Sequence, residues 1–165
     1  MTPVFREWRA DDNVEELTTL LHRAYASLAA KGLRYTATYQ TPEVTLRRLT
    51  TGHPLVAEIG GRIVGTLTIY HSKPQSEVAL YRDPEAFCIG QFGVDPEFQG
   101  LGIGKQLHEL AVDYTRRHGK RYLALDTAIP AEELIATYQR WGYVIVEHIQ
   151  FPSPNYESVI MRLEV

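Results

Sequence analysis

The sequence predicts an α/β domain, with a mixed sheet flanked by helices, on three observations. Apolar stripes of helical period alternate with short runs of strand character along all 165 residues. Gly60 and Gly61 join two alternating runs as a two-residue hairpin, so part of the sheet is antiparallel. An apolar run at 88–94 passes through a glycine-dense turn directly into an amphipathic helix.

Residues 3–9 read as the first strand. Asp11 or Asp12 caps a helix whose apolar stripe is Val14, Leu17, Leu21, Ala24 and Leu28, and Gly32 ends it. Residues 33–40 carry Tyr35 and Tyr39 among threonines and polar residues, with no clear period. Thr41 as cap and Pro42 at the first position start the next helix, which Gly52 closes. Residues 54–59 and 62–70 alternate as strands on either side of the hairpin turn. The stretch 71–86 is a polar loop with room for a short turn of helix.

Residues 88–94 contain no proline and are largely apolar, as suits a buried strand. Beyond the glycine turn, Ile103, Leu107, Leu110, Ala111 and Tyr114 share one helical face, and Gly119 is the C-cap. In 121–127, Leu123 and Leu125 alternate with Tyr122, Ala124 and Asp126 as another strand. Pro130 starts a helix with Glu132 and Glu133 in its first turn, where carboxylates suit the dipole. Leu134, Ile135, Tyr138 and Trp141 give that helix a face, and Gly142 ends it. Residues 143–149 and 158–163 are the closing strands. The order β-α-α-β-β-β-α-β-α-β-β fills a single domain over residues 1–165, with no repeat, low-complexity tract or linker.

The chemistry concentrates at the glycine turn. Gln99-Gly100-Leu101-Gly102-Ile103-Gly104 follows a strand and precedes a helix, which places free backbone N–H groups at a helix N-terminus. The macrodipole and the unpaired donors there favour an anion, usually a phosphate. Lys105 in the first turn opposes the dipole unless an anion is close by. Two phosphate-binding motifs are excluded by spacing. A P-loop needs a further upstream Gly and Ser or Thr after the Lys, where Gln106 stands; a dinucleotide fingerprint needs Gly where Lys105 stands.

The stretch resembles motif A of the GCN5-related N-acetyltransferases, Gln/Arg-x-x-Gly-x-Gly/Ala, through Gln99, Gly102 and Gly104, behind the lead-in of Val94, Pro96, Gln99 and Gly100. Tyr138, Gly142 and Tyr143 resemble the same family's tyrosine block. The two motifs cover about 88–146; the first half of the chain matches only in its order of elements. The resemblance implies a mixed, mostly antiparallel sheet with splayed central strands. It implies acetyl-CoA as co-substrate and a primary amine, on a small molecule or a peptide, as acceptor. Gln99, Gly100, Leu101, Gly102, Ile103, Gly104 and Lys105 would hold the pyrophosphate. Phe92 and Val94 would offer main-chain groups to the pantetheine arm, with Gly93 giving a bulge or close approach.

Tyr138 is the candidate acid: a leaving thiolate needs a proton or a hydrogen-bond donor, and a phenol supplies either. A tyrosine on a helix face before a Gly also serves as plain core. Asp126 corresponds to an acidic residue that acts as base in some members, and could equally be a solvated strand-end carboxylate or a helix cap. The Glu that many members carry on the central strand is replaced by Gly90 or Cys88, and the Asn often seen before the tyrosine is Ala131. Gln91 could orient substrate or water, or be an ordinary sheet amide. Tyr35, Tyr39, Tyr70, Tyr81 and Tyr156 fall where the family builds its acceptor wall. Cys88 reads as a small buried hydrophobe. An acyl-CoA sensor without catalysis, another acyl donor and an O-acceptor are the competing readings.

Composition limits the rest. Hydrophobic residues make up 44% and charged residues 22%, an ordinary globular balance. Seventeen basic against twenty acidic residues, with no basic cluster, argue against nucleic acid as a partner. One cysteine forms no internal disulfide, and six histidines lack ligand spacing, so no metal is expected. No run has membrane-spanning length, and the charged N-terminal stretch has no signal core, so a cytoplasmic location without membrane contact is expected. A homodimer is left open.

Overall fold

Strand-forming runs along the chain meet in one seven-stranded sheet in the computed structural model, which describes residues 2–165. In chain order the elements are β1 (Val4–Glu7), α1 (Val14–Ala24), α2 (Ala26–Ala30), α3 (Thr36–Tyr39), α4 (Pro42–Thr50), β2 (His53–Ile59), β3 (Arg62–Tyr70), α5 (Ala79–Arg82) and β4 (Ala86–Val94). A 3-10 turn (Pro96–Phe98), α6 (Ile103–Arg117), β5 (Tyr122–Ala128), α7 (Glu132–Arg140), β6 (Val144–Ile149) and β7 (Ser158–Glu164) complete it. The sheet order is β1-β2-β3-β4-β5-β7-β6, antiparallel everywhere except between β4 and β5. The predicted α/β class and mixed, mostly antiparallel sheet hold.

Alternation along β2 builds both faces of the core. Leu55 and Ala57 pack in one cluster with Ile103, Leu107 and Ala111 of α6. Val56, between them, packs with Leu17, Leu21 and Leu49 of α1 and α4. Helices therefore flank the sheet on both sides. Among the described residues, no helix is long and apolar enough to cross a membrane.

Several local expectations change. Asn13, not Asp11 or Asp12, caps α1, its side chain accepting from the Glu15 and Glu16 amides. Asp12 is drawn away by Arg6, which grips both carboxylate oxygens at 2.9 Å. The predicted single helix divides at Tyr25, which ends α1 and begins α2. A short helix, α3, forms where no period was legible. On α6, Leu110 faces outward while His108 and Thr115 are buried, because the face centred on Ile103, Leu107 and Ala111 takes in 108 and 115. Ala131 rather than Pro130 precedes the first turn of α7.

The feature that positions the site is the parting of β4 and β5. They pair only at Ala86–Tyr122, Phe87–Leu123 and Cys88–Ala124. Beyond this β5 stays with β7 along its whole length, whereas β4 follows β3 through a bulge. The register passes from Thr68–Gly90 to Thr66–Gly93, so an additional residue stands on β4. Gln91 carries the left-handed backbone of this bulge, with φ 48°. The expectation that Gly93 makes the bulge is therefore corrected. Gly93 meets the other half of its expectation: a Cβ there would lie 3.0 Å from that of Ala24, so α1 approaches closely.

Candidate active site

Between the diverging strands lie two cavities, of about 450 and 440 Å³, within the usual size of small-molecule sites. Tyr25, Leu134 and Tyr138 line both, so the two spaces meet at these side chains.

The first cavity is a groove that ends at the N-terminus of α6. Gly100 and Gly102 adopt φ of 82° and 78°, the left-handed region that glycine enters without strain. The first intrahelical bond runs from Gln106 N–H to the Gly102 carbonyl at 3.0 Å, so the amides of Ile103, Gly104 and Lys105 have no acceptor within the helix. Helices α1 and α4 solve this with Asn13 and Thr41; α6 has no side-chain cap. Of the sequence-predicted cofactor residues, Phe92, Gly93, Val94, Gln99, Gly100, Gly102, Ile103, Gly104 and Lys105 all line the groove. Leu101 does not; it is exposed and points elsewhere. Trp141, not singled out from the sequence, forms part of the wall and stacks on His108 at 4.5 Å.

Tyr138 projects from α7 into the junction. Its ring packs edge-on against Trp141 and Tyr143, each at 5.7 Å, so the ring is fixed. Burial raises the phenol well above its ordinary pKa, with the neighbouring Tyr25, Tyr35 and Asp126 adding to the shift. The hydroxyl stays protonated at neutral pH and has no hydrogen-bond partner among the described residues. Such a group can donate a proton or a hydrogen bond to something lodged between the cavities.

The second cavity is polar. Asp126, at the free end of β5, is enclosed by protein on most sides yet presents its carboxylate to the open space. Desolvation raises its pKa, opposed by the Tyr81 hydroxyl, which donates to Oδ2 at 2.5 Å, and by Lys73 and Arg48. Gln91 lines the wall, but its amide is engaged: Oε1 accepts from Gln40 at 2.7 Å and Nε2 donates to the Thr45 carbonyl. Cys88 lies on the same wall, buried, its thiol pushed up to about 11 by desolvation.

Of the predicted tyrosines, Tyr35, Tyr70, Tyr81 and Tyr156 line this cavity. Tyr39 does not: it is 60% exposed, with Arg34 over its ring at 5.5 Å. The hydroxyl of Tyr35 is spent on β5, sharing a 2.7 Å hydrogen bond with Thr127 and accepting from the Ala128 amide. Besides Trp141, three further residues with a part in the site went unnoticed in the sequence. Tyr25 donates to the Phe92 carbonyl at 2.7 Å and so ties the helix break to the bulge. Arg48 and Lys73 reach the cavity from a helix and a loop where their identity alone carries no signal.

Residues 7–143 match the family model described as Acetyltransferase (GNAT) family. An uncharacterized N-acetyltransferase of Methanocaldococcus jannaschii is 28% identical over 88 residues, covering 53% of this chain and 37% of that protein. The mycothiol acetyltransferase of Cellulomonas flavigena is 34% identical over 93 residues, covering 54% of this chain and 26% of that protein. The matches thus span about a third of these relatives' length or less. A GNAT family acetyltransferase from Elizabethkingia anophelis, solved with acetyl-CoA bound, superposes with a TM-score of 0.69 at 19% identity, covering 99% of this chain and 98% of the other.

Proposed function

From the premise that the chain belongs to the acetyltransferase (GNAT) family, we propose that it transfers an acetyl group from acetyl-CoA to a primary amine by direct attack. The observation that carries this reading is Tyr138. Its unpartnered hydroxyl stands where a groove ending at uncapped helix amides meets a cavity holding a carboxylate. The groove fits the donor's parts: the α6 amides would hold the pyrophosphate, and the unpaired side of β4 would accompany the pantetheine arm. Acetyl-CoA, when bound, supplies the activated acetyl group.

The residues then divide the work. Asp126 takes a proton from the incoming ammonium, directly or through water, and its raised pKa makes it a stronger base than a surface carboxylate. The amine nitrogen uses the freed lone pair to bond the acetyl carbon. The carbon–sulfur bond breaks, its electron pair leaves on sulfur, Tyr138 donates a proton or hydrogen bond to that thiolate, and the second proton shed by the nitrogen makes up the thiol's. The products are an N-acetylated amine, free thiol and one proton. Tyr25, held on the Phe92 carbonyl, keeps the junction narrow.

The test is thiol release from acetyl-CoA in the presence of amines, with mass analysis for a product heavier by one acetyl group. Binding of acetyl-CoA with neither thiol release nor any acetylated amine would support the sensor reading instead.

A further inference from the structure

The acceptor cavity carries more positive than negative charge, and among the described residues its cations form no contact ion pair. Arg48 and Lys73 both line it, against one carboxylate, Asp126. Among the described residues, neither cation has a carboxylate within 4.0 Å. Arg48 is half-buried, and its Nη1 donates to Gln40 Oε1 at 2.8 Å. Its Nη2 lies beside Gly90, 3.5 Å from the place a Cβ would occupy. With no side chain at 90, that edge of the guanidinium meets open cavity. The Lys73 ammonium stands 4.4 Å over the ring of Tyr70 and 5.6 Å over that of Tyr81.

The other titratable groups there do not alter the balance at neutral pH. Burial pushes the Tyr70 and Tyr81 phenols and the Cys88 thiol upward, so they stay neutral. His71 is shifted downward by burial and by neighbouring cations, so it too is neutral. Two cations therefore face one anion. A half-buried guanidinium without an anion is costly, and a planar fork with a free edge fits a carboxylate.

We propose that the acceptor is an amine that also bears a carboxylate, a free amino acid or a close analogue. Its carboxylate lies between Arg48 and Lys73 and its ammonium turns to Asp126. The inference rests on the acetyl-transfer reading above and adds the substrate class. A protein N-terminus fits less well, because the neutral amide following its amine offers these cations no charge.

The experiment compares each of several free amino acids with its carboxamide and its decarboxylated amine, using the full chain and acetyl-CoA. The free acids should exceed their carboxamides by about tenfold or more in kcat/KM. Arg48→Gln should remove that preference by about tenfold, mainly through acceptor KM, lowering the free acids far more than the carboxamides, while Arg48→Lys restores part of it. Lys73→Gln, on an exposed side chain, repeats the comparison if Arg48→Gln proves unfolded by thermal melting. Carboxamides or plain amines used as well as the acids would overturn the carboxylate proposal and leave acetyl transfer standing. Turnover of no amine, in protein that binds acetyl-CoA, would overturn both.

Discussion

The Tyr81 hydroxyl donates to Asp126 Oδ2 across 2.5 Å, joining the short helix α5 to the free end of β5. One carboxylate oxygen is thereby committed, and the carboxylate is held still. Desolvation raises its pKa while this hydrogen bond lowers it. A base works when deprotonated, so turnover should fall as pH drops through the raised pKa. Asp126→Asn should depress turnover and abolish that acidic limb, with acetyl-CoA affinity nearly unchanged. Tyr81→Phe should keep the limb but move it to higher pH. A pH–rate profile unaltered in both variants would return Asp126 to the status of a solvated carboxylate.

The same shift has a consequence for stability. A carboxyl whose pKa is raised on folding stabilises the fold below its unfolded value, and loses that contribution as pH rises through the folded value. Asp126→Asn should therefore raise the melting temperature at neutral pH, with the gain fading in acid.

Tyr138→Phe keeps the ring against Trp141 and Tyr143 and removes the hydroxyl alone. If that hydroxyl serves the leaving thiolate, kcat and kcat/KM should fall together by roughly 10²-fold, while donor KM and melting temperature hold. Steady-state kinetics decide it: near-normal turnover would make Tyr138 a packing residue.

Gly104 offers a clean probe of the phosphate reading. Gly102 has left-handed φ, so any side chain there strains the backbone as well as the groove. Gly104 is helical, and a Cβ would meet Val94 and Phe92 only at 3.6 Å or more. Gly104→Val should fold normally yet weaken acetyl-CoA binding by about tenfold or more, since its branch enters the groove. Titration calorimetry giving wild-type affinity would remove the helix amides from the binding site.

His108 supplies a stability marker away from the chemistry. It is buried on the inner face of α6, shares a 2.9 Å hydrogen bond with the Tyr143 hydroxyl, and desolvation lowers its pKa to about 4. The unfolded chain takes up this proton near pH 6.5 and the folded one does not, so stability is full above that pH and declines below it. The loss approaches roughly 3 kcal/mol by pH 4. Urea midpoints measured from pH 7 to 4 should slope accordingly in the wild type, and the slope should flatten in His108→Gln.

The two halves of the site differed in how far they were legible, for a physical reason. The groove proposed for the donor is made by backbone: glycines at fixed spacing, a strand end and a helix start all lie within one short stretch, and sequence spacing is geometry there. The acceptor cavity is assembled from α4, the loop before α5, β4 and β5, so Arg48, Lys73 and Asp126 meet only through the topology. An Arg next to Arg47 in the last turn of a helix looks like any solvated charge. The same distinction explains the fold. Strands and long helices were readable from period, whereas α3, four residues without one, forms through packing of Ala37 into the α1 and α4 cluster. The cap of α1 shifted because Arg6, distant in purpose but near in space, claims Asp12.

Three residue pairs are all that stitch β1–β4 to β5–β7–β6 through the sheet. In mechanical language the sheet is two plates joined by a short seam and backed by one shared core, with a raw internal edge where the seam opens. Whatever fills that seam acts as a splint. Without a ligand, the amides of 89–94 and 125–128 that face the open edge should therefore exchange faster than those bonded to β3 and β7. A ligand in the groove should slow exchange on both plates at once, tying the melting of each half to the other.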